Sequence, residues 1–296
     1  MSFPRKSYYI ILIFLSLAES AFSQEYSSSI KFPYRISYDV TYLKIGSWEA
    51  KLDIYARRDT KKQQPTLIWI HGGSVKRGSK DGSLFSLLPY LEKGFNVINL
   101  EPRLPGLTKA PAAVQNCQCA LKWIYKNADK YNIDTTKLII SGGSSGGWFA
   151  IAAAMSLKTE GWDKPCPGPE QTSVAAVVNW YGNWDLADVL DGPNAKSYAL
   201  GWVPLFADPM EVAKSLSPVP FDDRAVPTIS IHGDADNVVP YSQSTRLHEA
   251  LKAKGIAEQL VTIIGGGHGR FSRLENEEAF ETIWDFLDQL GISTNY

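Results

Sequence analysis

The chain is 296 residues long, 44% hydrophobic and 21% charged, with a formal net charge of −1. That composition suits one large apolar core and argues against a disordered chain. With no basic stripe there is no electrostatic footprint for nucleic acid, and no nucleic-acid partner is expected.

At the start of the chain, Arg5 and Lys6 precede an apolar run from Tyr8 to Ala18, and the small residues Ala21 and Ser23 stand before Gln24. This is the order of a secretory signal peptide ending in an A-x-S cleavage site. The run is shorter than the roughly 20 residues a membrane span needs, so no stable membrane anchor is expected. Residues 1–23 are therefore read as a signal peptide and 24–296 as one domain, exported to the periplasm or the medium.

Residues 36–43 and 50–56 alternate with the period of a half-exposed antiparallel hairpin. Residues 66–71, 95–100, 137–141, 174–180, 227–232 and 259–264 are more continuously apolar, as buried parallel strands are. Helical spacing runs over 112–130, 145–157, 241–254 and 275–290. Two leading strands followed by β-α alternation predict an α/β fold, an eight-stranded mostly parallel sheet with helices on both faces. Residues 159–168 and 190–220 break the pattern and are expected to be lids or binding loops. Their aromatics, with Trp184 just before (Trp162, Trp184, Tyr198, Trp202, Phe206), either line a pocket or hold the loops by local packing.

Cys117, Cys119 and Cys166 make an odd set. Cys117 and Cys119 fall on different faces of a helix and cannot readily pair, so at most one bridge, to Cys166, can form; three thiols is the simpler expectation. C-x-x-C and H-E-x-x-H are absent, so neither a metal site nor a cofactor is expected.

The chemistry centres on Ile139 to Ala150, IISGGSSGGWFA, directly after the fifth strand and before a helix. Ser144 and Ser145 each have glycine two residues before and two after. A serine hydroxyl is a weak nucleophile, and a hydrolase must present it on a tight turn with a base in reach and backbone donors aimed at the oxyanion. A P-loop would need G-K-[ST], and a dinucleotide motif belongs after the first strand. Downstream, HGDADNVVP (232–240) follows the seventh strand and GGGHG (265–269) the eighth, giving the chain order Ser, Asp, His. Of the four histidines, His268 on its glycine-rich loop is the candidate base. His71 and His232 end strands and read as structural residues; His248 is placed toward solvent. Asp234 and Asp236 are both candidate acids, with Asp185 a third.

These segments, together with WIHGGS (69–74), NLEPRL (99–104) and AAVQNCQCALKWI (112–124), resemble the esterase and lipase group of the α/β-hydrolases. The feruloyl- and acetyl-esterase-like and hormone-sensitive-lipase-like carboxylesterases are the nearest in pattern. The likeness covers residues 35 to 292. It implies the α/β-hydrolase fold, a nucleophile at Ser144, an acid at Asp236 and a base at His268, with the amides of Gly73, Ser74 and Ser145 as the oxyanion hole. Asp234 then becomes a turn-capping residue. Two departures stand out: Ser74 occupies the place of a third glycine, and Pro102 removes an aromatic and a backbone donor. The implied activity is carboxylic ester hydrolysis, with acetyl or feruloyl groups on carbohydrates as the substrate class. Alternatives are a serine peptidase of the prolyl-oligopeptidase type and a catalytically silent binding protein on the same fold.

Overall fold

The computed structural model describes residues 33–73, 78–103, 110–155, 166–191, 194–196, 199–203, 208–217 and 224–294. Arg35 onward forms one unit, and the predicted signal peptide at 1–23 lies outside the described residues.

All eight predicted strands are present: β1 (Tyr34–Ile45), β2 (Trp48–Arg57), β3 (Gln64–Ile70), β4 (Asn96–Leu100), β5 (Ile133–Gly143), β6 (Ala176–Trp180), β7 (Thr228–Gly233) and β8 (Glu258–Ile263). They form one sheet in the order β1-β2-β4-β3-β5-β6-β7-β8. β2 runs antiparallel to β4, and every pairing from β4 through β8 is parallel. The register sets Ile98, Ile68, Ile140 and Val177 side by side across the centre of the sheet. Branched side chains fill a pleated surface well, and here both faces are covered, so β3, β4 and β6 are buried along their whole length. This is the α/β-hydrolase arrangement expected from the sequence.

The helices are α1 (Leu84–Glu92), α2 (Ala110–Asn127), α3 (Ser145–Met155), α4 (Leu186–Leu190), α5 (Pro209–Leu216), α6 (Ser242–Ala253) and α7 (Arg273–Gln289). α2 buries Ala113, Cys117, Ala120, Leu121 and Ile124, the face its spacing predicts. α3 carries apolar residues all round and buries Trp148, Phe149 and Ile151, so it is a central helix with no polar face. None of the described helices is long and apolar enough to cross a membrane.

Three helices were not foreseen. α1 has Pro89 inside it, and proline reads as a helix breaker because it lacks an N–H. α4 and α5 are short and begin at aspartate caps: Asp185 accepts from the amides of Ala187 and Asp188, and Asp208 from those of Met210 and Glu211. Trp202 stacks on Trp148 with ring centroids 5.0 Å apart, and Trp184 is buried. Both are packed locally; Trp162, Tyr198 and Phe206 lie outside the described residues.

Two further expectations are corrected. His248 is buried, not solvated, because it faces β8, where Glu258 accepts its Nδ1–H at 2.8 Å. The three thiols become one: Cys119 and Cys166 form a disulfide with Cα atoms 5.2 Å apart, while Cys117 remains a buried thiol. The two helix cysteines face different ways, and Cys166 returns on the side of Cys119 at a distance that a bridge spans. Burial pushes the Cys117 thiol well above its ordinary value.

The bridge links positions 47 residues apart. A loop of that size corresponds to about 4 kcal/mol in the chain-entropy account of disulfides. The double variant Cys119→Ser, Cys166→Ser is therefore expected to unfold at clearly lower denaturant. Reducing agent should shift the parent by a similar amount and leave the double variant unmoved.

Candidate active site

β5 ends at Gly143 and α3 begins at Ser145, so Ser144 alone makes the turn. Its φ is +56°, a left-handed value that costs a residue with a side chain. Two backbone hydrogen bonds hold it there: Ser144 N–H donates to Trp180 O at 2.8 Å, and Ser144 O accepts from Trp148 N–H at 3.2 Å. The glycines let three backbones touch. A Cβ on Gly142 would stand 2.5 Å from Ile70 O, and one on Gly146 2.1 Å from the same oxygen. Only hydrogen fits between β3, β5 and the first turn of α3.

That geometry separates the two serines. Ser145 is the first residue of the helix and is buried. Ser144 turns its Oγ toward His268, whose Nε2 lies 2.8 Å away. His268 stands on the loop after β8, between Gly265 and Gly269, both with positive φ. Its Nδ1 is 2.7 Å from Asp236 Oδ2. With that carboxylate ionised, Nδ1–H must be the donor, which leaves Nε2 to accept from the serine hydroxyl.

Asp236 follows β7 and is buried. Its Oδ1 accepts from the amides of Val238 (2.8 Å) and Val239 (3.0 Å), and its Oδ2 also lies 3.2 Å from His232 Nε2. Burial works against the charge, but hydrogen bonds from His232, His268 and Val238 hold the carboxyl far below the ordinary carboxylate range. Asp234 is exposed and accepts from the Gly265 amide at 2.6 Å, tying the turn after β7 to the loop that carries His268. Asp185 caps α4 and pairs with Arg246 at 2.7 Å, away from the serine.

His232 is more than a satisfied strand-end residue. Ser244 Oγ lies 2.7 Å from its Nδ1, and Val239 O accepts from its Nε2 side at 3.1 Å, so a fixed imidazole backs the acid. His71 Nδ1 is 2.9 Å from Gly72 O, consistent with a role in shaping the turn at 71–73.

These groups open onto a cavity of about 430 Å³ whose lining includes Gly73, Ser79, Ser83, Ser86, Tyr181 and His268. One wall is fastened by Lys80, which is buried and pairs with Asp53 at 3.0 Å and Asp39 at 2.9 Å. Of the expected oxyanion donors, Gly73 borders the cavity and Ser145 opens α3; Ser74 lies outside the described residues. Tyr181 was not singled out from the sequence, although it directly follows the sixth strand, the same sheet edge that supplies the other site residues.

A family model for BD-FAE matches residues 52–251. The chain belongs to the BD-FAE family. The match runs from within β2 into α6, hence over Ser144 and Asp236, and stops short of His268. Among similar proteins, esterase LipC of Mycobacterium tuberculosis is 27% identical over 235 residues, 74% of this chain and 56% of the relative. Esterase LipQ of the same organism is 26% identical over 260 residues, 82% of this chain and 60% of the relative. The BD-FAE chain thus spans little more than half the length of these curated relatives. A solved structure described as a truncated carbohydrate esterase from gut microbiota is 28% identical, with a TM-score of 0.72 over 88% of this chain and 99% of that one. Apo Thermogutta terrifontis esterase 2, at 22% identity and the same TM-score, shares the fold.

The backbone junction at Ser144 is testable by itself. Gly146→Ala places a Cβ against carbonyl oxygens that cannot move, so it is expected to cost at least the ~1–3 kcal/mol of an overpacked core in urea denaturation. Gly267→Ala, where a Cβ meets nothing within 4 Å, is expected to stay within about 0.5 kcal/mol of the parent, as surface changes do.

Proposed function

We propose that this protein is a serine-dependent carboxylic ester hydrolase that removes acetyl or feruloyl groups from carbohydrates outside the cytoplasm. The observation that carries the reading is the continuous hydrogen-bonded chain from Ser144 through His268 to Asp236 at the mouth of one cavity. His268 takes the Ser144 proton as Oγ attacks the ester carbonyl, and Asp236 keeps the imidazole in the right tautomer and stabilises its charged form. Backbone amides at Gly73, Ser74 and Ser145 receive the oxyanion; one such donor is worth about 10²- to 10³-fold in rate. The proton on His268 then passes to the departing alkoxide oxygen. Water, deprotonated by the same histidine, releases the acyl group as the free acid.

The carbohydrate half rests on the hydroxyl-rich lining, Ser79, Ser83, Ser86 and Tyr181, which suits a polar alcohol better than a long acyl chain. The likeness to a carbohydrate esterase supports it. Export is supported by the signal-peptide pattern of residues 1–23 and by the Cys119–Cys166 bridge, which persists in an oxidising compartment.

Ser144→Ala is expected to lose more than about 10³-fold in p-nitrophenyl acetate hydrolysis and all labelling by a fluorophosphonate. Ser145→Ala should retain most of both, because it lends only its amide. Full activity in Ser144→Ala would overturn the assignment. Asp236→Asn, which removes the charge and favours the wrong tautomer, is expected to lower kcat by roughly 10³- to 10⁴-fold, whereas Asp234→Asn should cost less than about tenfold. On a panel of esters, a preference for long acyl chains over acetylated and feruloylated sugars would reject the carbohydrate reading.

A further inference from the structure

Tyr181 directly follows β6 and holds φ = +43°, a left-handed backbone that a bulky aromatic rarely adopts. Its amide donates to Ile231 O at 2.8 Å, so the sheet itself keeps the residue in this conformation. Such strain persists only where the surroundings over-determine it, and it gathers at functional sites. Two neighbouring glycines are matched to the phenol. A Cβ on Gly143 would stand 3.1 Å from the Tyr181 hydroxyl oxygen, and one on Gly269 2.6 Å from it. The hydroxyl is thus seated between the residue before Ser144 and the residue after His268.

The ring is braced as well. It meets the His268 imidazole edge to face at 4.9 Å and Phe271 at 5.7 Å. The residue borders the cavity, and among the described residues no hydrogen bond engages its hydroxyl oxygen. Burial, together with the nearby Asp236 charge, raises the phenol above its ordinary value, so the group remains a donor at working pH. In ester cleavage His268 delivers its proton to the departing alcohol oxygen, so the alcohol half of the substrate leaves beside His268, where the Tyr181 hydroxyl sits.

We propose that Tyr181 is a specificity residue for the alcohol half of the ester, its hydroxyl donating a hydrogen bond to a second oxygen on the departing alcohol. The proposal rests on the ester-hydrolase reading of Ser144 but not on the carbohydrate reading. A polar substrate oxygen gains a partner that an alkyl alcohol cannot use, and selection follows from the difference.

The test compares two acetate esters, glyceryl monoacetate and ethyl acetate, on the parent and on Tyr181→Phe. The substitution keeps the ring, its contact with His268 and the backbone, so the thermal midpoint is expected to hold. One neutral hydrogen bond corresponds to about a five- to tenfold fall in kcat/KM. That fall should appear for glyceryl monoacetate, chiefly in KM, while ethyl acetate changes less than about twofold. Equal effects on both esters, or none on either, would overturn the proposal while leaving the hydrolase reading intact. A parent inactive on both esters would overturn the two together.

Discussion

The site depends on three backbones that meet without side chains between them. The end of β3 at Ile70, the end of β5 at Gly142 and the first turn of α3 at Gly146 pack closely enough that only glycine serves at the last two positions. This approach leaves one residue, Ser144, to turn the chain from strand to helix, and it does so at a positive φ. The strain lifts the hydroxyl out of the sheet. The N-terminal end of α3, with its favourable field for negative charge, is brought to the cavity.

The acid shows how a buried charge is made tolerable. Asp236 has backbone amides on one oxygen and two imidazoles near the other, so the carboxylate is held in place on every side. Burial alone would neutralise such a group; paired and hydrogen-bonded, it stays ionised. Its charge in turn decides which nitrogen of His268 carries the proton. Ser244, His232 and Asp236 form a line behind the imidazole, and Asp234 couples the two loops by a separate hydrogen bond. Rigidity on this side of the site comes from polar contacts, whereas on the serine side it comes from backbone packing.

Much of this is legible in the sequence. The eight strands announced themselves by short apolar runs at regular intervals, and α2 by its spacing, because burial on one face imposes a period on the chain. Order and resemblance point to Ser144, Asp236 and His268, each at a strand end, and the structure brings these three side chains within hydrogen-bonding distance in sequence. α1 was hidden by Pro89, and α4 and α5 by a stretch rich in turn residues whose aspartates proved to be caps. His248 was misplaced because its own helix face was weighed without the strand that packs against it. The Cys119–Cys166 bridge was allowed but not chosen, since pairing depends on distances between segments that a sequence does not contain.

By itself the sequence determined the α/β order, the run of buried strands, the glycine clearance around two equivalent serines and the set of acids and bases available. Those are local matters: period, side-chain volume and turn chemistry act within a few residues. Tertiary structure gave the two serines different places, Ser144 on a left-handed turn facing His268 and Ser145 inside a helix. It also brought Asp236 and His232 together, closed the disulfide and set the Tyr181 phenol between Gly143 and Gly269. Each of these results from packing residues far apart in the chain, where position in space, not identity, selects the partner.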